Sequence, residues 1–281
     1  MFPAHSFSGS ELPGSLGKDN ELCKLIKNMI KLTGKIECQD DDDSWGTGFV
    51  QKIRFKLGKC PCLICKGEVS EKKFAILTVS TVVHILDDSP DREDAFHVVS
   101  QKIEEVGMTV HYKQERFIQL YGSKLLETDK DLGIERDWCC LEFVTHKLRE
   151  VKKLNTILTK YQELQGKVYQ RYKDGSENLV VVVGYPSPKP NPNPKQISIG
   201  KITREYEPLK EIRDGQRWGR YYYDAETDHG CSGAPILILG QPISGFGYWF
   251  GHPHNHCVGV QPDGNDRYSS IGVEYDVGNG A

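Results

Sequence analysis

The sequence predicts an all-β fold with added helices, its strands set in two groups around a helix, as two small antiparallel barrels or a sandwich. Three observations carry this. Short β-rich segments recur along most of the chain, separated by turn-forming residues. The apolar period changes from that of a helix to that of a strand at Trp45. A single amphipathic stretch divides the strands into an earlier and a later set, the pattern expected of a β architecture built in two halves.

Taken in order, residues 1–20 read as a flexible lead. "NELCKLIKNMIKL" then sets Leu22, Leu25, Ile26, Met29 and Ile30 on one stripe, which predicts an N-terminal helix docked on the main domain. Asp40 to Asp43 read as a solvated loop. "GTGFVQKIRF", "FAILTVS", "FHVVSQKI", "MTVHYKQ", "RFIQLYG" and "DWCCLEFV" follow as the first strand group, so residues 21–145 form the helix and first barrel. Residues 146–164 are expected as a connecting helix with Leu148, Val151, Leu154, Leu158 and Tyr161 on its inner face. Residues 165–281 hold the second group, from "GKVYQRY" and "LVVVV" to "APILIL" and "SSIGVEYDV", with the proline-rich stretch "PSPKPNPNPK" as a stiff surface spacer.

Bulk composition narrows the function. Thirty-six Lys and Arg against 39 Asp and Glu give a net charge of −3, which supplies no pull toward nucleic acid or anionic lipid. The longest apolar run suits a buried strand and is too short to span a bilayer. The N-terminus lacks the basic start and apolar stretch of a signal peptide, and the nine cysteines cluster instead of spreading in pairs. A cytoplasmic protein with free or metal-bound thiols is the expectation, with no nucleic-acid or membrane partner.

The chemistry centres on "DHGCSGAPIL". Gly230 and Gly233 bracket Cys231 and Ser232 just before an apolar strand. A serine hydroxyl is nucleophilic only when it projects from a tight turn toward a base, with N–H groups placed to receive an oxyanion. The base and its partner have candidates upstream. His84 ends the apolar run "VSTVVHIL", and Asp137 stands at the entrance of "DWCCLEF", with Asp131 as a rival acid. A register that places Thr81 where the base belongs would leave a silent protein-binding module, while one that uses Thr81 as the residue before two apolar ones keeps His84 in place. Cys231, beside Ser232, is a rival nucleophile.

These motifs resemble the trypsin-like serine proteases. "GTGFV" is similar to their first barrel strand, "TVVHIL" to their histidine motif, "DWCCLEF" to their acid strand and "GCSGAP" to their nucleophile motif, over about residues 45–275. "YDAETDHGCSGAP" and "VVGYP" lie nearest to the intracellular animal, HtrA and glutamyl endopeptidase branches. The resemblance implies two antiparallel six-stranded barrels with the active site between them. It also implies an endopeptidase acting on protein or peptide substrates through an acyl-enzyme, with Ser232 as nucleophile, His84 as base, Asp137 as its orienter and the Gly230 and Ser232 N–H groups as oxyanion hole. Glu226 and Thr227 would line the pocket for the side chain preceding the cut, with Tyr248 on a later strand narrowing it. The residue before the nucleophile is Cys231, not an aspartate, so activation by a buried ion pair with a new N-terminus is not expected.

No cofactor is required by that chemistry. "CPCLIC" nevertheless sets Cys60, Cys62 and Cys65 within six residues, enough for three corners of a tetrahedral zinc, with free thiols as the other reading and no fourth ligand apparent. A zinc-stabilised interaction domain is therefore a further alternative. "GHPHNHC" offers His252, His254, His256 and Cys257, although its Gly, Pro and Asn favour a loop.

Overall fold

A computed structural model describes residues 1–38, 45–65, 71–86, 103–113, 116–128, 139–173, 175–186, 195–203, 207–211, 217–239, 254–255 and 267–269. Strand β1 (Phe2–Pro3) and two short 3-10 turns lead into helix α1 (Asn20–Leu32). Strands β2 (Thr33–Cys38), β3 (Trp45–Gly58), β4 (Lys72–Thr81), β5 (Val106–Lys113), β6 (Arg116–Thr128) and β7 (Cys139–Thr145) follow, then helix α2 (Leu148–Tyr172). The later strands are β8 (Leu179–Gly184), β9 (Gln196–Lys201), β10 (Glu207–Glu211), β11 (Arg217–Tyr223), β12 (Pro235–Leu239), β13 (His254–Asn255) and β14 (Arg267–Ser269).

The first group closes into a six-stranded antiparallel barrel in the order β2-β3-β4-β7-β6-β5, with β2 also pairing β5. Closure removes every open edge. Alternate residues supply its filling, among them Ile36, Phe49, Leu77, Val79, Val110, Leu120, Leu141 and Phe143, all buried. The second group is described as a five-stranded sheet, β1-β9-β8-β12-β13, and a three-stranded sheet, β10-β11-β14. Strand β8, the "LVVVV" run, is buried on both faces. Leu179, Val181 and Val183 join the main core, while Val180 and Val182 join a smaller cluster with Ile236, Ile238, Tyr223 and Ala234. Two-sided burial is what a continuous apolar strand requires.

Helix α1 begins where the Asp19 carboxylate accepts the N–H groups of Glu21 and Leu22 at 2.8 and 3.1 Å. Its stripe of Leu22, Leu25, Ile26, Met29 and Leu32 is fully buried, each side chain contributing about 1.5–3 kcal/mol of apolar burial. It packs against α2 and β5. Phe49 of the barrel meets Tyr161 of α2 edge-on, with centroids 5.4 Å apart.

Two expectations are corrected by this arrangement. Residues 1–20, expected as a flexible lead, are held in place because Phe2 and Pro3 pair with β9 and because Ala4, Phe7, Leu12 and Leu16 are buried in the main core. The segment "GKVYQRY", expected as a strand, continues α2 to Tyr172. Gly166 does not break the helix, since Val168 keeps the buried stripe of Tyr161 in helical phase and Arg171 and Tyr172 are engaged by Asp19.

Asp19 thus caps one helix and ties down the end of the other. Burial would raise its carboxyl pKa, but the Arg171 guanidinium, the Leu22 and Glu21 N–H groups and the Tyr172 hydroxyl together hold it below the ordinary aspartate value. A depressed carboxylate stabilises the fold above the unfolded-state pKa, and that contribution is lost as pH falls through the folded value. Asp19→Ala should therefore cost about 2 kcal/mol at neutral pH, roughly 1 from the cap and up to about 1 from the solvent-screened pair. Asp19→Asn should cost less, because asparagine still caps. Urea midpoints at pH 7 and pH 3 test both points: the gap between wild type and Asp19→Ala should shrink at the lower pH.

Candidate active site

Strand β4 ends at Thr81 and the chain turns through Val82 and Val83 to His84. Strand β12 begins at Pro235, immediately after the turn that carries Ser232. These two strand ends bring His84 Nε2 to 2.8 Å from Ser232 Oγ, within hydrogen-bond reach across 148 residues of sequence. Ser232 is buried and His84 is partly exposed.

Two left-handed glycines make the turn. Gly230 has φ +88° and Gly233 φ +80°, conformations in which an L side chain is strained. Both also lie where a Cβ has no room. At Gly230 it would fall 2.3 Å from the Tyr185 carbonyl oxygen, and at Gly233 2.1 Å from the Thr47 carbonyl oxygen. Within the turn, the Cys231 N–H donates to the Asp228 carbonyl and the Ala234 N–H to the Cys231 carbonyl, each at 2.9 Å. Among the described residues no protein acceptor takes the N–H of Gly230 or of Ser232. One of these donors is on the residue that carries the hydroxyl and the other lies two residues before it.

Thr47, in the "GTGFV" segment of β3, fastens the barrel to this turn. Its N–H donates to the Ser232 carbonyl at 2.8 Å and its hydroxyl to the Gly230 carbonyl at 2.7 Å. The same hydroxyl accepts the Tyr185 N–H at 3.1 Å, and its carbonyl accepts the Thr81 hydroxyl at 2.8 Å. Trp45 Nε1 adds a 3.4 Å bond to the Tyr185 carbonyl, and its ring meets His229 edge-on with centroids 4.6 Å apart. No motif reading singles out Thr47, because its partners lie 183 and 138 residues away. Removing its hydroxyl orphans a buried carbonyl and a buried N–H, each worth about 1–3 kcal/mol. Thr47→Val should accordingly lower the urea midpoint by an amount equivalent to about 2–4 kcal/mol at unchanged slope, and Thr47→Ser should restore most of it.

The remaining candidates fall as follows. Thr81 is fully buried with its hydroxyl on Thr47, while the ring beside Ser232 is that of His84. Cys231 is buried, its sulfur packed beside the Gly184 backbone. Glu226 is exposed and ion-paired with the ammonium of Met1, and Thr227 is half-buried. Asp137, its rival Asp131, and Tyr248 lie outside the described residues, as do His252, His256 and Cys257. Cys60, Cys62 and Cys65 gather far from this turn, beside His146. Among the described residues no helix is long and apolar enough to cross a membrane.

No protein-family model and no curated protein matches the chain. Among solved structures it is similar to the MamO protease domain of Magnetospirillum magneticum, at 10% identity and TM-score 0.42, covering 87% of this chain and 93% of that one. It is similar to Deg5 at 14% identity and TM-score 0.40, covering 79% and 80%. It is also similar to the active form of the Rv3671c protease of M. tuberculosis, at 17% identity and TM-score 0.44, covering 92% and 88%. At such identities and TM-scores these matches assign no activity to the chain.

Proposed function

We propose that the chain is a serine endopeptidase of trypsin-like architecture, with the five- and three-stranded sheets of the second half belonging to a second barrel. The observation that carries this reading is the 2.8 Å approach of His84 Nε2 to Ser232 Oγ at a glycine-bracketed turn. In the proposed reaction the Ser232 hydroxyl gives its proton to His84 Nε2 as its oxygen attacks the carbonyl carbon of a peptide bond. The tetrahedral oxyanion is received by the N–H groups of Gly230 and Ser232. The imidazolium then protonates the leaving amine, the C–N bond breaks and an acyl-serine ester remains. Water, deprotonated by the same imidazole, hydrolyses that ester and returns Ser232 to its starting state. Asp137 is assigned to the other ring nitrogen, fixing the tautomer and stabilising the cation.

Substrates are proposed to be proteins or peptides, with Glu226 and Thr227 near the residue preceding the cut. A quenched-fluorescent peptide library incubated with the purified chain tests the reaction class. Cleavage that yields new amino termini and is blocked by a serine-directed inhibitor is expected. A stable, folded protein that cleaves no member of a diverse library would argue for the silent binding module instead.

A further inference from the structure

The end of β4 opposite to His84 carries a second constellation. Cys60, Cys62 and Cys65 lie between β3 and β4, and His146 lies between β7 and α2. His146 Nε2 is 3.3, 3.6 and 3.4 Å from the sulfurs of Cys60, Cys62 and Cys65. All four donor atoms fall within 4.8 Å of one another, and the three cysteines are free of disulfides. Metal–sulfur bonds of about 2.3 Å and a metal–nitrogen bond of about 2.0–2.1 Å at the tetrahedral angle place sulfur and nitrogen roughly 3.5 Å apart. The observed spacings bracket that value.

We propose that Cys60, Cys62, Cys65 and His146 bind a structural zinc ion. Three further features fit a metal site better than a chance cluster of thiols. His146 Nδ1 lies 3.1 Å from the Lys73 carbonyl, so its N–H donates there and the Nε2 lone pair faces the sulfurs, the tautomer that ligation needs. The Cys65 N–H donates to the Cys62 carbonyl at 3.0 Å, closing a tight turn that points both side chains the same way. Lys72 Nζ stands 3.4 Å from Cys65 Sγ, where an ammonium offsets the net negative charge that three thiolates leave around a divalent ion.

The ion is structural and not catalytic. Four protein ligands close a tetrahedral sphere and leave no position for water or substrate. The ten residues of β4 separate it from the His84 end by roughly 30 Å at the rise of an extended strand. Its effect is to staple the β3–β4 connection to the start of α2. Among the described residues the apolar cluster there is small, namely the three cysteines with Phe74 and Val144, and partly buried Ile76 against it. The register of β4 on β7 explains the meeting: Ala75 pairs with Thr145, which sets His146 beside Lys73 and Phe74.

The test is metal content of the intact chain, read independently of any hydrolytic activity. Protein purified without added chelator should carry about one zinc per chain by elemental analysis. Cys62→Ser with Cys65→Ser should reduce this at least about tenfold, and His146→Ala should weaken retention against a competing chelator. Should the variants fail to fold, wild-type protein exchanged with Co²⁺ gives the same answer, with visible bands of tetrahedral cobalt and near-ultraviolet sulfur-to-cobalt charge transfer. Wild type that holds far less than one zinc per chain after exposure to Zn²⁺, and develops no charge-transfer band with Co²⁺, would overturn the assignment.

Discussion

Replacing Ser232 with alanine should abolish peptide hydrolysis, with kcat falling by about 10⁶-fold while the fold survives. The geometry sets the size of that effect. Ser232 Oγ is the oxygen bonded to His84 Nε2, and Cys231 beside it is buried against the Gly184 backbone. His84→Ala should cost about as much, because a hydroxyl without its base is a poor nucleophile. The two losses should not add. A Ser232→Ala, His84→Ala double variant should be no slower than either single one within error, since nucleophile and base act as one unit. Circular dichroism and urea midpoints of the variants separate lost chemistry from lost folding, and an unchanged midpoint with unchanged hydrolysis would contradict the assignment.

The second large effect is structural and concerns Gly233. A Cβ at this position would fall 2.1 Å from the Thr47 carbonyl oxygen and 2.3 Å from Thr81 Oγ1, neither of which can retreat without giving up the bond between them. The backbone itself, at φ +80°, adds about 1–2 kcal/mol of strain for any L side chain. Gly233→Ala is expected to cost about 4 kcal/mol or more, placing it among the rare severe single substitutions. Gly14 supplies the control. It too has positive φ, at +55°, but a Cβ there meets nothing within 4 Å, so Gly14→Ala should cost only about 1 kcal/mol. Chemical denaturation of the two variants beside wild type reads the difference directly. Equal losses would mean that the contact of the Ser232 turn with β3 contributes little.

Much of this architecture was legible in local pattern. The stripe from Leu22 to Met29 announced α1, and the "LVVVV" run announced a buried strand, because burial acts on residues that are neighbours in one element. The pairing of His84 with Ser232 was also legible, since each stands at a strand end within a recognisable motif. Where sequence failed, the deciding contacts were long-range. The segment "GKVYQRY" reads as a strand, yet α2 runs through it because α1 and Asp19 hold the helix there. Three corners of the thiol cluster lay within six residues, but the fourth, His146, lies 81 residues beyond Cys65 and arrives only through the register of β4 on β7. Thr47 was hidden for the same reason. A threonine between two glycines carries no mark of the four hydrogen bonds that join it to the Ser232 turn, to Tyr185 and to Thr81.

Treating the folded chain with a fluorophosphonate and locating the adduct by peptide mass spectrometry probes the proposed activation of Ser232 by His84. A single stoichiometric phosphonyl ester on Ser232 is expected, with labelling slowed by orders of magnitude in His84→Ala. A folded wild type left unlabelled at Ser232, or a His84→Ala variant labelled there as fast as wild type, would contradict it.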